Sequence, residues 1–142
     1  MNRIFRMTAG ILITGAALVL LTTTSTQADE KSGPVLATLL HAQLEGVDST
    51  EVILSRVEVP PSTQLARHYH PGEEFIYVLE GSGTVTLKGQ PPVQLQPGDV
   101  FKVPLQHVHS ARSGDAGMKA IVFRVHRTGQ PERIPVTTAE TQ

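Results

Sequence analysis

The chain has 142 residues, with 12 lysines and arginines against 13 aspartates and glutamates, six histidines and no cysteine. This length suits a single domain, because domains cluster at roughly 100–150 residues. The near-neutral charge gives no compositional reason to expect nucleic acid as a partner. Without cysteine the chain has no disulfide, thiolate zinc site, iron–sulfur cluster or thiol nucleophile. Any bound metal must therefore have nitrogen and oxygen ligands.

The N-terminal segment has the pattern of a secretory signal peptide. Arg3 and Arg6 precede an apolar run over residues 9–21, and small residues follow up to Ala28. This order predicts a signal peptide over residues 1–28, cleaved after Ala28. The alternative is an uncleaved membrane anchor, but the run is shorter than the roughly 18–20 residues that a membrane-spanning helix needs. We therefore expect a periplasmic or secreted protein that has no membrane segment after cleavage.

The remaining residues, 29–142, read as one all-β domain with its core at about 50–126. Short β-branched or alternating runs are separated by glycine and proline, which is typical of an all-β sandwich or barrel. The predicted strands are 51–59, 63–69, 74–79, 84–88, 93–96, 100–103, 108–111 and 118–126. One helical turn is predicted near Val35–Leu40, and the polar tail Thr128–Gln142 is expected to lie along the surface or to fray.

Two of these strands, Glu74–Leu79 and Ala120–Val125, carry apolar residues on both faces. A strand with one face in water should instead alternate with polar residues, so something covers the outer face. A second sheet or the chain's own termini could cover it, and so could a second copy of the chain; we expect a homodimer. The apolar residues expected to line the interior are Ile76, Val78, Phe101 and Phe123.

Four of the six histidines form two pairs, His68-Tyr-His70 and His107-Val-His109. Residues two apart in a strand share a face, so His68 and His70 can converge on one ion. If the chain turns back as a hairpin at the following Pro-Gly-Glu, an inward Glu74 lies opposite this pair. Two imidazoles and a carboxylate suit divalent first-row transition metals. An isolated His-x-His is more often an exposed pair, but here a carboxylate and further histidines lie in strand-rich sequence.

The segment His-Tyr-His-Pro-Gly-Glu-Glu resembles the first motif of the cupin family. In that motif a His-x-His is followed after three or four residues by Glu, and after six more by Gly. Here three residues separate the second histidine from Glu74, and six separate Glu74 from Gly81. The stretch Gly98–Pro104, followed by His109, resembles the second motif. The resemblance covers about residues 50–126.

The resemblance implies a small antiparallel β-barrel of two packed sheets, a jelly-roll-like double-stranded β-helix, with a metal inside. The ligands that it implies for one divalent transition metal (Fe, Mn, Zn, Cu or Ni) are His68, His70, Glu74 and His109. It also implies a small-molecule ligand or substrate, and first among the activities a dioxygenase acting on a small enol or phenol. The alternative is a non-enzymatic protein that binds a metal or small ligand in the periplasm.

Three positions depart from the motifs. Ser62 and Gln106 stand where the family has glycine, and Ser113 stands where it has asparagine. All three fall at turns or strand ends, so they leave the shape of those connections open while the ligand types are kept.

The other histidines carry weaker expectations. His107 is expected at the rim of the site, and His41 and His126 are expected to be ordinary surface or hydrogen-bonded residues. Tight connections predict positive φ angles at four glycines, Gly72, Gly81, Gly83 and Gly98.

Overall fold

The structure is a computed structural model that describes residues 33–137. Within them the chain is all-β, as predicted, and forms eight strands: β1 (Val35–Gln43), β2 (Thr50–Val59), β3 (Gln64–Tyr69), β4 (Glu73–Leu87), β5 (Val93–Leu95), β6 (Val100–Val103), β7 (His109–Arg127) and β8 (Ile134–Pro135). These residues contain no helix long and apolar enough to cross a membrane. The predicted signal peptide, residues 1–28, lies outside the described part of the chain.

Two long strands, β4 and β7, organise the fold. The C-terminal half of β7 pairs with β2 and with the first half of β4, while its N-terminal half pairs with β3 and with the second half of β4. The shorter strands extend this ribbon into two antiparallel layers, β1-β2-β7-β4-β6 and β8-β3-β7-β4-β5. Because the long strands run through both layers, the hydrogen bonds join all eight strands into a single sheet. That sheet is not closed.

Glycines allow the long strands to bend between the layers. Gly81 in β4 has a φ of 72°, and Gly117 in β7 has a φ of 80°. A Cβ atom on Gly81 would lie 2.1 Å from the backbone oxygen of Gly117, so the two backbones approach too closely for any side chain. The positive φ predicted at Gly98 is also found. The prediction is wrong for Gly72 and Gly83, where neighbouring atoms, not the φ angle, leave no room for a side chain.

The hydrophobic core lies between the two layers. Ile76 and Val78 of β4 are buried with Ala120 and Val122 of β7, and Val85 from the second half of β4 belongs to the same cluster. Inward residues two apart on each strand build this cluster, as the period of a β-strand requires. The inward orientation predicted for Ile76 and Val78 is confirmed.

Phe123 lies on the outer face, so its predicted place in the interior is wrong. Alternation along β7 turns its even-numbered neighbours inward and Phe123 outward. Its cross-strand partner in β4 is Phe75, and the two ring centroids are 6.2 Å apart. Phe101 is half-buried and packs against the core. Part of the outer apolar face is therefore covered by its own neighbours.

Two predicted features of secondary structure are wrong. The segment Val35–Leu40 is not helical but belongs to β1, because the edge of β2 offers backbone partners for a strand there. The runs 84–88 and 108–111 are not separate strands, since glycine bends let them continue into β4 and β7. The described part of the tail lies along the surface, in agreement with the prediction, and its residues Ile134–Pro135 pair with β3. Residues 138–142 lie outside the described range.

The turns that lack the family's glycines keep a backbone conformation that favours glycine. Ser62 has a φ of 50° and Gln106 a φ of 55°. The Ser113 hydroxyl accepts a hydrogen bond from the Thr63 amide at 2.9 Å and donates one to the Pro60 carbonyl. Such a φ at a non-glycine residue costs on the order of 1 kcal/mol. Two of these connections therefore place a non-glycine residue in a conformation that glycine adopts more easily.

Candidate metal centre

Four residues predicted as ligands meet between the two layers. His68 is the last residue but one of β3, and His70 directly follows that strand. Glu74 is the second residue of β4, and His109 is the first residue of β7. His68 and His109 are direct partners in the β3–β7 pairing. All four side chains are buried. Ligand-type atoms of the three histidines all lie within 4.8 Å of one another, so the structure brings the three predicted histidines together.

The backbone orients each imidazole of the cluster. The Nδ1 atom of His68 lies 2.8 Å from the Ala66 carbonyl oxygen, and that of His109 lies 2.9 Å from the carbonyl oxygen of His107. The Nδ1 atom of His70 contacts the Glu132 carbonyl at 2.6 Å. A carbonyl oxygen can only accept, so each ring donates from Nδ1, and Nε2 carries a lone pair whenever the ring is neutral. This is the arrangement that metal-binding histidines use.

The cluster fits a transition-metal ion on the basis of its own donor atoms. The Nε2 atom of His70 is buried and makes no hydrogen bond among the described residues, although Oε2 of Glu74 lies 3.1 Å away. A buried polar atom without a partner is costly, and a cation at this point would satisfy it. Three imidazole nitrogens beside one carboxylate also form a donor set for divalent first-row metals.

Glu74 contacts both the histidines and an arginine. Its Oε2 atom lies 3.1 Å from Nε2 of His70, and its Oε1 atom lies 3.6 Å from Nε2 of His109. The Nε atom of Arg124 donates to Oε2 at 2.7 Å, and the Nη1 atom of the same guanidinium donates to Glu132. Glu74 is thus held within reach of the histidine nitrogens.

Burial and neighbouring charges set the ionisation of the cluster. Burial alone opposes ionisation of Glu74, but the contacts of His109 and His70 and the charge of Arg124 outweigh it and hold the pKa of Glu74 well below its usual range. Burial, reinforced by the charge of His109, lowers the pKa of His68 to about 3. At neutral pH the metal-free cluster therefore contains a carboxylate and a neutral His68, the protonation states that metal ligands need.

A cavity of about 270 Å³ lies against the cluster. Much of its wall is apolar, with contributions from Val57, Leu65, Ile76, Val85, Met118 and Val122. This volume is close to the lower end of the range for ligand pockets, so it suits a small molecule. Of the residues predicted to line the interior, Ile76 does so, whereas Val78, Phe101 and Phe123 do not border this cavity.

Three charged residues that the sequence pattern did not single out also line the cavity: Arg124, Glu132 and Arg133. Arg124 occupies an inward position of β7 within an apolar run, and strict alternation along that strand could have found it. Glu132 and Arg133 come from the tail, for which the sequence carries no comparable signal. The Nη2 atom of Arg133 donates to the carbonyl of Ala66, the same oxygen that orients His68.

The three remaining histidines differ in their burial and in their contacts. His107 is half-buried, its ring contacts the backbone carbonyl of Lys88, and it is not among the described residues that line the cavity. His41 is exposed, with Nε2 3.0 Å from a carboxylate oxygen of Glu51. His126 is only 1% exposed, and neither ring nitrogen has a hydrogen-bond partner among the described residues. The expectation of an ordinary surface or hydrogen-bonded residue is therefore wrong for His126, whose ring centroid lies 5.9 Å from that of His70.

Two antiparallel layers around a buried three-histidine, one-glutamate cluster define a jelly-roll-like protein with a metal-type site in its interior. A family model described as "Cupin domain" matches residues 55–124, which include both histidine motifs. The chain belongs to the cupin superfamily.

Similarity to individual proteins is partial. The chain is 34% identical over 82 residues to the dimethylsulfoniopropionate lyase DddQ of Ruegeria pomeroyi, covering 58% of this chain and 39% of that protein. The solved structure of DddQ matches with a TM-score of 0.61 at 28% identity, over 81% of this chain and 56% of that one. Quercetin 2,3-dioxygenase of Bacillus subtilis is 37% identical over 82 residues, covering 57% of this chain and 23% of that protein.

Oxalate decarboxylase of Bacillus subtilis shares the fold, with a TM-score of 0.56 at 19% identity over 62% of this chain and 24% of that one. The chain thus spans less than two thirds of each of these relatives.

Proposed function

We propose that this cupin is an exported, metal-dependent enzyme whose first candidate reaction is the dioxygenation of a small enol or phenol. The observation that carries the proposal is the geometry of His68, His70 and His109. Their Nε2 atoms are free to bind a cation because each Nδ1 atom is engaged by a backbone carbonyl. Burying three imidazoles costs free energy, because their polar nitrogens lose contact with water. A bound ion would offset this cost, whereas a core built of apolar side chains would not incur it.

The proposed ligands are His68, His70, Glu74 and His109, holding one divalent Fe, Mn, Zn, Cu or Ni ion. When bound, such an ion supplies an open position that accepts a substrate oxygen or dioxygen and polarises it. Affinity of nitrogen and oxygen sites increases along the divalent series to Cu²⁺ and is lower for Zn²⁺. An exported chain that folds outside the cytoplasm therefore need not contain iron.

The residues of the cavity limit the chemistry. The apolar walls exclude water and favour a substrate with an aliphatic or aromatic body. Among the described residues, those that line the cavity include no serine, cysteine, tyrosine or lysine. This lining offers no hydroxyl, thiol or amine nucleophile for covalent catalysis, which favours a reaction that depends on the metal position. Similarity to a protein named a dioxygenase and to one named a lyase supports small-molecule chemistry at this site.

An oxygen electrode tests the reaction class. The chain is loaded separately with Fe²⁺, Mn²⁺, Cu²⁺ or Ni²⁺ and supplied with catechol or acetylacetone as small phenolic and enolisable probes. We expect oxygen uptake with at least one pair, its loss in His109→Ala, and no change in Arg112→Gln, an exposed control on the same strand. Tight binding of a probe without oxygen uptake would contradict the dioxygenase and favour the alternative, a non-enzymatic metal- or small-ligand-binding protein.

Export and dimerisation are also part of the proposal. The basic, apolar and small-residue order of residues 1–28 supports export, and N-terminal sequencing of protein from the periplasm should begin at Asp29. A periplasmic product that begins at Met1 would contradict cleavage after Ala28. Exposed apolar side chains support a homodimer, among them Val35 and Leu39 on the edge strand β1.

A further inference from the structure

The carboxylate of Glu74 is shared between the histidine cluster and a buried arginine. Arg124 donates from Nε to Oε2 at 2.7 Å, while Oε1 lies 3.6 Å from Nε2 of His109. The side chains of Glu74 and Arg124 are 6% and 7% exposed, so bulk water and salt screen the pair little. A charge-assisted hydrogen bond of this length belongs to the strong class.

Arg124 is fixed in this position from two sides. Its backbone lies directly opposite that of Glu74 in the β4–β7 pairing. The far end of its guanidinium donates from Nη1 to a carboxylate oxygen of Glu132. The guanidinium therefore cannot leave Glu74 without giving up a second ion pair.

This arrangement limits what Glu74 can offer a cation. Oε2 already accepts from Arg124, so Oε1 is the oxygen left free of the guanidinium. The set of ligand atoms lying within 4.8 Å of one another comprises the three histidines and does not include Glu74. The positive charge of Arg124 also competes with a divalent ion for the same carboxylate.

We propose that Arg124 is a positioning residue that keeps Glu74 a weak, single-oxygen fourth ligand. The inference rests on the proposed metal site and assigns a role to a residue outside both ligand motifs. Three imidazoles then hold the ion, and Arg124 sets how firmly the fourth group binds.

A double-mutant cycle between Glu74 and Arg124 tests this role. Metal-free chains are titrated with Zn²⁺ by calorimetry, and the visible spectrum of the Co²⁺-loaded chains reports the coordination. In the wild-type background, Glu74→Gln should weaken Zn²⁺ binding by about tenfold or less and change the Co²⁺ spectrum little. Arg124→Met removes the guanidinium that competes with the metal ion for the carboxylate of Glu74. Zn²⁺ should then bind more tightly, because the buried carboxylate is left to pair with the ion, and the Co²⁺ spectrum should change.

The coupling between the two changes is the decisive quantity. In the Arg124→Met background, Glu74→Gln should weaken Zn²⁺ binding by on the order of 100-fold, the upper end of effects known for residues around metal ligands. If Arg124 were merely structural, Glu74→Gln would have the same effect in both backgrounds, and that result would overturn the inference. Arg112→Met, an exposed arginine of β7, is the matched control and should leave affinity and spectrum unchanged.

Two further outcomes separate this inference from the proposed function. If circular dichroism shows that Arg124→Met does not fold, the comparison of wild type with Glu74→Gln still decides, because a loss of affinity as large as that of His109→Ala would overturn a weak-ligand role. Failure of the wild type to bind any metal would contradict the proposed function itself. Metal binding without coupling between Glu74 and Arg124 would contradict this inference alone.

Discussion

The carbonyls that orient two of the histidines lie close to them in sequence. Ala66 orients His68 and His107 orients His109, in each case from two residues earlier in the chain. The spacing alone made His68, His70 and Glu74 candidates, because residues two apart in a strand share a face, and the resemblance to the cupin motifs implied the set that His109 completes. Arg124 was missed because one charged residue within an apolar strand carries no motif.

Gly72 is required by close packing, and its substitution should destabilise the fold. A Cβ atom at this position would lie 1.9 Å from the backbone oxygen of Val125 and 2.7 Å from the ring of His126. The clash is with backbone, which cannot move as a flexible side chain would, so Gly72→Ala should lower the free energy of unfolding by about 1–3 kcal/mol. Urea denaturation measures this change. The control is Gly33→Ala, because no atom lies within 4 Å of a Cβ at that position. Equal free energies of unfolding for the two variants would contradict the close packing at Gly72.

Acidification should destabilise the metal-free protein. The pKa of His68 is about 3 in the folded chain against 6.5 for an unperturbed histidine, so between these values the unfolded chain binds a proton that the folded chain does not. Stability therefore decreases as the pH falls through this window. The pKa of Glu74 is also held below its usual 4.5, which adds a decrease below that pH.

Urea midpoints in EDTA at pH 7.5 and pH 5 measure the first of these decreases. His68→Gln, which cannot titrate, should show a smaller change between the two values than the wild type. A wild-type midpoint that increases on acidification would contradict the neutral, buried state of His68.

Among the elements, the C-terminal segment 132–136 forms part of the site. The Glu132 carbonyl contacts Nδ1 of His70, and β8 pairs with the end of β3. A chain that ends at Gln130 should therefore bind Zn²⁺ about 10–100-fold more weakly, because His70 loses the acceptor that orients it. The control is a chain that ends at Thr137 and keeps the segment. Calorimetry giving equal affinities for both would contradict the positioning role of the segment.

The strands were predictable to different degrees. The pattern of short runs bounded by glycine and proline located β2, β3 and the first half of β4, although their buried positions include the polar Glu51, His68 and Glu74. It missed β1, since Val-Leu-Ala-Thr-Leu-Leu has no clear alternation and the choice of a strand depends on the free edge of β2. It also missed the contacts of the tail, because these are long-range. Glu132 contacts His70, which is 62 positions away, and Arg133 contacts His68, which is 65 positions away.

For the whole molecule, the edge strand β1 predicts self-association. Val35 and Leu39 are 56% and 55% exposed at the edge of the sheet, and Tyr77 on the outer face is 46% exposed. The outer edge of β1 has no partner strand within residues 33–137, and exposed apolar groups beside such an edge favour association with another copy. Light scattering after size exclusion should give twice the mass of the mature chain, and Leu39→Lys should shift it to the monomer. A wild-type monomer at all concentrations tested would contradict the dimer.

The spacing of strands and turns predicted an all-β sandwich or barrel, and the resemblance to the cupin family implied two packed sheets, whereas the single continuous sheet was not predicted. Whether the runs 74–79 and 84–88 form two strands or one bent strand depends on the close approach of Gly81 to Gly117, which lies 36 positions away in the chain. The cavity is likewise a property of the assembled layers. The sequence therefore predicted the class of fold and the ligand cluster, while the residues that complete the site emerged only from tertiary contacts.

The central claim is that the buried histidines hold one metal ion. Elemental analysis of untagged mature protein from the periplasm, beside His109→Ala prepared in the same way, tests it most directly. We predict close to one transition-metal ion per chain in the wild type and its loss in the variant, with a circular dichroism spectrum that shows the variant to be folded. Absence of metal from both proteins, or equal metal content in both, would contradict the claim.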